Sequence, residues 1–223
     1  MKRIKLRDRI LPRYTRAEEN MNMVTHIVGA GFGIIMLTLC IIRCILRDNY
    51  CGLITTSIYG ICMITLYCIS SIYHGLHQST AKKVLQIIDH CTIYFLIAGT
   101  YTPVVLCNIR PVYPILGWGL FIFQWCITFL AATLTAIDLR KYNVFSMICY
   151  IGAGWSIIPF AQQVLSTLSP FGFYLLLAGG ITYTIGAILY GIGSKIPWMH
   201  SVFHIFVVLG SILQFLSIYY FVI

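Results

Sequence analysis

The sequence contains few charged residues. Only 9% of its 223 residues are charged and only six are acidic, whereas 59% are hydrophobic. Soluble globular domains carry about 25% charged residues. The composition therefore excludes an ordinary soluble domain and predicts a membrane protein with several spans.

The net charge of +9 is concentrated at the N-terminus. A basic arm that precedes a first apolar span is typical of a cytoplasmic flank facing anionic lipid, so we expect no nucleic-acid partner. We assign residues 1–23 to this basic cytoplasmic arm and residues 24–223 to a single transmembrane domain. Seven of the 15 basic residues lie in the arm: Lys2, Arg3, Lys5, Arg7, Arg9, Arg13 and Arg16.

The nine cysteines include no CxxC pair, and their number is odd. A disulfide framework or a zinc-thiolate site is therefore not expected. Most of the cysteines lie inside apolar runs, where a thiol acts as a small core residue. We also expect no cleavable signal peptide, because no small-x-small cleavage site follows the first apolar stretch.

Charged residues divide the chain into long apolar segments. Segment 142–194 is too long for one crossing of a bilayer, which needs about 20 residues, and the Ser169-Pro170-Phe171-Gly172 stretch predicts a turn within it. The fold class that follows is an all-α membrane protein, a bundle of seven transmembrane helices. The segments are 24–42, 49–81, 84–109, 111–137, 142–194 and 196–223.

The distribution of Lys and Arg predicts the orientation. With the N-terminus in the cytoplasm, twelve basic residues fall in inner segments and three in outer ones. Because positive charge favours the cytoplasmic side, we expect the N-terminus inside and the C-terminus outside. We expect a multi-pass protein of the plasma membrane.

Five polar residues lie near the cytoplasmic ends of these spans. Ser70 and His74 end the second span, Asp89 begins the third, and His200 and His204 begin the seventh. The topology was assigned from Lys and Arg alone, so their common depth is independent evidence for a site. Polar groups inside a membrane are costly and usually functional.

Histidines at this spacing suit a metal ion. His200 and His204 share one helix face, with Cβ atoms about 5–6 Å apart, and His74 is the best placed third ligand. Three protein ligands and a water form the usual catalytic Zn²⁺ site. Asp89 would orient the water, act as general base or hold a histidine tautomer. Ser70 would hydrogen-bond Asp89 or the water.

A second polar group precedes and enters the first span. Glu18 and Glu19 suit a helix N-terminus; the alternative is that Glu19 or His26 gates or closes the site. His77 and His90 flank the cluster and are expected to face the headgroup zone.

Together these residues resemble the hemolysin III family, within the superfamily of progestin and adipoQ receptors. The resemblance implies a seven-helix fold with the N-terminus inside and a zinc ion near the cytoplasmic face. It implies ligands at His74, His200 and His204, with Asp89 and Ser70 around the water. The stretches that carry it are Glu18-Glu19-x-x-Asn22-x-x-Thr25-His26, Ser70-Ser71-Ile72-Tyr73-His74, Asp89-His90, Gly99-Thr100-Tyr101-Thr102-Pro103 and His200-Ser201-Val202-Phe203-His204.

The leading functional hypothesis is a zinc-dependent membrane hydrolase. The resemblance extends to adiponectin receptors and alkaline ceramidases, which implies a ceramide-like lipid amide or ester as substrate. The competing hypothesis is a cytolytic or pore-forming protein with structural zinc, and a third is a membrane-state sensor or receptor. Membrane lipids are the expected partners, and the sequence leaves a homo-oligomer open.

Overall fold

The computed structural model of the chain describes residues 6–193 and 196–223. Within these residues the chain forms eight α-helices and no β-strand, and seven helical segments are long and apolar enough to cross a membrane. The predicted all-α, seven-helix class is therefore confirmed. The helices are α1 (Arg16–Leu46), α2 (Tyr50–Gly75), α3 (Thr80–Pro103), α4 (Pro114–Ile137), α5 (Asn143–Trp155), α6 (Ala161–Thr167), α7 (Pro170–Gly193) and α8 (Met199–Ser217).

Helix α1 begins at Arg16, inside the segment that we assigned to the basic arm. Thr15 explains this start, because its side chain accepts from the Glu18 amide while the Glu18 carboxylate accepts from the Thr15 amide. Such a capping box satisfies two of the free N–H groups at a helix start. The preceding segment packs on the bundle, since Arg9 donates to Gln86 of α3 at 3.0 Å.

Three spans depart from a regular α-helix, among them the seventh, which ends in a π-helical segment, Ile218–Val222. After Pro103 the third span continues as a π-helical segment, Val104–Ile109, because proline has no N–H to donate to the preceding turn. The fifth span consists of α5 and α6, separated by a 3-10 turn, Ile158–Phe160. The predicted break before the sixth span is present, but it is shorter than the 169–172 stretch, because helix α7 already starts at Pro170.

Helix α1 packs along α2 and α8, and α7 packs along α8. The antiparallel order places the starts of α1, α3 and α8 beside the end of α2. We call this the histidine end of the bundle, because His74, His200 and His204 lie there. The arrangement positions side chains from four helices within reach of one another.

Candidate metal centre

Three histidines from two helices converge at the histidine end. The Nε2 atom of His200 lies 3.4 Å from Nε2 of His74 and 3.1 Å from Nε2 of His204. One ligand atom from each ring lies within 4.8 Å of the others, and all three residues are buried or nearly so. The structure thus brings together the three residues predicted as metal ligands.

Hydrogen bonds on the far side of two rings define their tautomers. Nδ1 of His74 lies 2.7 Å from a carboxylate oxygen of Glu19, and Nδ1 of His204 lies 3.2 Å from the Asn22 carbonyl oxygen. Both partners can only accept a hydrogen bond, so each Nδ1 carries the proton and donates. In the neutral form of each ring, the Nε2 atom of His74 and of His204 then carries a lone pair directed at the centre.

This donor set fits a zinc ion. Nitrogens bound to one tetrahedral zinc at about 2.0–2.1 Å lie about 3.3 Å apart, close to the observed 3.1 and 3.4 Å. Metal-ligating histidines usually donate their other N–H to a carboxylate or carbonyl, as His74 and His204 do here. Zn²⁺ favours neutral imidazole ligands. In neutral His74 and His204, the Nδ1 hydrogen bonds leave Nε2 as the ligand atom.

The two glutamates of α1 have different partners. Glu19 also binds Lys82 of α3, with 2.6 Å between Oε1 and Nζ, and Lys82 is only 2% exposed. Glu18 caps α1 and accepts from the Trp198 amide at 2.7 Å. Glu18 therefore ties the start of α8 to α1, two residues before His200, whereas Glu19 belongs to the histidine cluster.

Sequence analysis gave no role to Asn22, yet it holds the two sides of the cluster together. It is fully buried, its side-chain oxygen accepts from Ser201 of α8 at 2.6 Å, and its carbonyl accepts from His204. The sequence did contain one signal for this role: Asn22 lies four positions before His26, so the two polar residues share one face of α1.

Tyr14 was also missed, and no sequence pattern distinguished it. Its ring stacks on His200 with 4.9 Å between centroids and 21° between planes. Burial raises the pKa of Tyr14 well above its usual range, so the phenol is neutral at physiological pH. The side chain therefore covers the histidine cluster without adding charge.

His26 lies beside the cluster and has no hydrogen-bond partner. Its ring stacks on His204 with centroids 3.8 Å apart, and both ring nitrogens are buried and unpaired. A buried polar atom without a partner costs free energy, so such a group in a native fold calls for a ligand or a water. The structure places this predicted accessory residue at the site but gives it no protein partner.

A cavity of about 200 Å³ opens beside His26, His200 and His204 and runs toward the other end of the bundle. Its polar lining at the histidine end includes Asp89 and Ser70. Its remaining walls come mainly from apolar side chains of α3, α5, α7 and α8. The structure thus places Asp89 and Ser70 on a wall shared with two of the predicted ligands.

The prediction that His90 faces the headgroup zone is wrong. Its Nδ1 donates to the Gln86 carbonyl, and its Nε2 accepts from the Tyr190 hydroxyl at 3.1 Å. His90 itself lines the cavity, so its side chain points into the bundle, where it meets Tyr190 of α7. His77 is exposed, as expected.

The chain is similar to known proteins along most of its length. A model of the family described as Haemolysin-III related matches residues 14–215. Hemolysin-3 of Bacillus cereus is 36% identical over 205 residues, which span 92% of this chain and 92% of that protein. Hemolysin-3 homolog of Bacillus subtilis (strain 168) is 33% identical over 208 residues, 93% of this chain and 96% of that one. Monocyte to macrophage differentiation factor of Homo sapiens is 28% identical over 182 residues, 78% of this chain and 73% of that one. The chain belongs to the haemolysin-III-related family.

Proposed function

We propose that this membrane protein is a zinc-dependent hydrolase of lipid amides or esters, with zinc held by His74, His200 and His204. The observation that carries the proposal is the convergence of three Nε2 atoms at 3.1 and 3.4 Å, two of them with ring protons directed away. One ligand atom from each of the three rings lies within 4.8 Å of the others, which is the spacing that a single metal ion needs. The N-inside orientation and the plasma membrane location remain part of the proposal.

A bound zinc ion supplies an electrophile for a carbonyl oxygen and lowers the pKa of a water to about 7. Glu19 and Asn22 fix the His74 and His204 rings and strengthen their Nε2 atoms as donors. Asp89 is the acidic residue on the described cavity wall, and its side chain keeps 16% of its surface accessible. It would accept the proton of the attacking water, and the Ser70 hydroxyl on the same wall would hydrogen-bond the carboxylate or the water.

The cavity favours a lipid as the substrate. Polar groups occupy its histidine end, and the rest is mainly apolar, which suits a headgroup linkage followed by an acyl chain. Helix α7 packs mainly on α8 and contacts α5 little. Since α5 and α7 both line the cavity, a lipid would enter from the bilayer between them.

His26 would contact the substrate directly. Its two unpaired nitrogens lie on the cavity wall next to His204. A hydroxyl or amide of the bound lipid would satisfy at least one of them, which would orient the scissile bond at the metal.

The test is turnover of a ceramide by purified Asp89→Asn protein that still holds zinc. Loss of a general base lowers turnover by about 10²–10⁴-fold. Asp48→Asn is the matched control, because Asp48 is exposed at the opposite end of the bundle and Asn tolerates its positive φ of 50°. Full activity in Asp89→Asn would exclude this mechanism.

A second candidate function is membrane lysis, which the names of the two Bacillus relatives favour. Zinc would then be structural. Among the described residues that line the cavity, Asp89 is the charged one, so the interior of a single chain does not suit a large aqueous pore. Dye release from liposomes by wild-type protein, equal in Asp89→Asn, would favour lysis over hydrolysis.

A further inference from the structure

Two cysteines meet at the end of the bundle opposite the histidines. Cys51 lies in the first turn of α2, and Cys107 lies in the π-helical segment after Pro103. Their Sγ atoms are 3.0 Å apart, although 56 residues separate them in the sequence. Both side chains are half-buried, so small reagents have access to them.

The surroundings of this pair are polar. The Arg110 guanidinium donates to Cys51 Sγ at 3.7 Å, and the Thr55 hydroxyl lies 3.2 Å from Cys107 Sγ. Cys68 and Cys126 are more exposed, but no sulfur contact is described for either.

We propose that Cys51 and Cys107 form a redox-active pair that closes to a disulfide by exchange with a small disulfide such as oxidised glutathione. Cys51 loses its proton, attacks one sulfur of the small disulfide and releases one thiol. Cys107 then loses its proton, attacks the Cys51 sulfur and releases the second thiol. The two protons end on the two released thiols, the protein is oxidised by two electrons, and the small disulfide is reduced.

The position of the cysteine pair links its oxidation state to the shape of the cavity. Val104 of the same π-helical segment lines the cavity, so the disulfide would tie that wall to the start of α2. Under the predicted topology this end faces outward, where disulfides persist. The pair would then fix the shape of the cavity in an oxidising environment and release it in a reducing one.

The experiment exposes detergent-purified, reduced protein to oxidised glutathione and counts free thiols by maleimide labelling and intact mass. We expect wild type to lose two thiols, to lose two hydrogens in mass and to gain no glutathione. Its Tm should rise by about 5 °C or more, because a disulfide across a long loop restricts the unfolded chain.

Three variants complete the test. Cys51→Ser and Cys107→Ser should each abolish the internal disulfide and the rise in Tm, whereas Cys126→Ser should retain both. Oxidised wild type that keeps both thiols, or that carries glutathione on Cys51 or Cys107 in place of the internal bond, would overturn the proposal. That result does not depend on whether the variants fold.

Discussion

At the scale of the residue, the site depends on side chains that set the chemistry of the histidines. Glu19 and Asn22 hold ring protons on the far side of His74 and His204. The i,i+4 pair on α8 and His74 could be predicted as ligands from spacing and depth. Tyr14 and Lys82 could not, because their contacts depend on how the N-terminal segment and α3 pack around the cluster.

Removing Glu19 should weaken zinc binding. Glu19→Ala deletes the acceptor that orients His74, and loss of such a partner typically costs about 10–100-fold in metal affinity. Glu19→Gln keeps an acceptor oxygen and should lose less. Competition with a zinc chelator measures both; equal affinity in wild type and Glu19→Ala would show that the carboxylate does not support the ligand.

Replacing His26 with Phe should raise the stability of the fold and weaken substrate binding. The Phe ring can stack on His204, and the change removes two unpaired buried nitrogens that cost about 1–3 kcal/mol. We therefore expect Tm to rise by a few degrees, zinc to be retained and KM for the lipid to increase by about tenfold. His77→Phe, an exposed change at the same end, is the control. An unchanged KM would remove His26 from the substrate site.

At the scale of the element, the positions of the membrane spans could be predicted from the charged residues and the lengths of the apolar segments. The irregular segments within the spans could not. The turn before Pro170 has a local signal, a proline after a serine. Prolines accompany two of the irregular segments, since Pro103 precedes a π-helical segment and Pro159 lies in the turn between α5 and α6, but a proline alone does not specify which irregular form the backbone takes. The close approach of Cys51 and Cys107 arises from the π-helical segment after Pro103, and cysteine spacing therefore did not predict it.

The approach of α1 to α2 depends on Gly29. A Cβ atom there would lie 2.7 Å from the ring of Tyr67, whose hydroxyl is held by Ser211 at 2.7 Å. A Cβ at Gly31 would meet nothing within 4 Å. Gly29→Ala should therefore lower Tm by about 3–10 °C through overpacking, whereas Gly31→Ala should leave it unchanged or slightly higher. Thermal unfolding in detergent measures both, and equal Tm values would contradict this packing.

At the scale of the whole molecule, the positive-inside rule predicts that the histidine end faces the cytoplasm. A fluorescent protein that folds only in the cytoplasm should be active when fused to the N-terminus. Alkaline phosphatase, which needs disulfides, should be active when fused to the C-terminus. The reverse pattern would place the metal centre at the outer face and would contradict the predicted orientation.

The fold class and the family were accessible from the sequence because apolar length and polar residues at one depth are local signals. The cavity was not, because its walls combine seven helices whose separation no single segment encodes. The proposed substrate class therefore rests on the family resemblance and on the shape of the cavity, and the proposed ligand set rests on the sequence and on the geometry.

The most direct measurement is the metal content of the detergent-purified protein, wild type beside the His200→Ala, His204→Ala double variant and a His77→Ala control. All three must elute as monodisperse, helical protein. We predict about one zinc per chain in wild type and in His77→Ala, and none in the double variant. Folded wild type without zinc, or a double variant that binds as much zinc as wild type, would contradict the account.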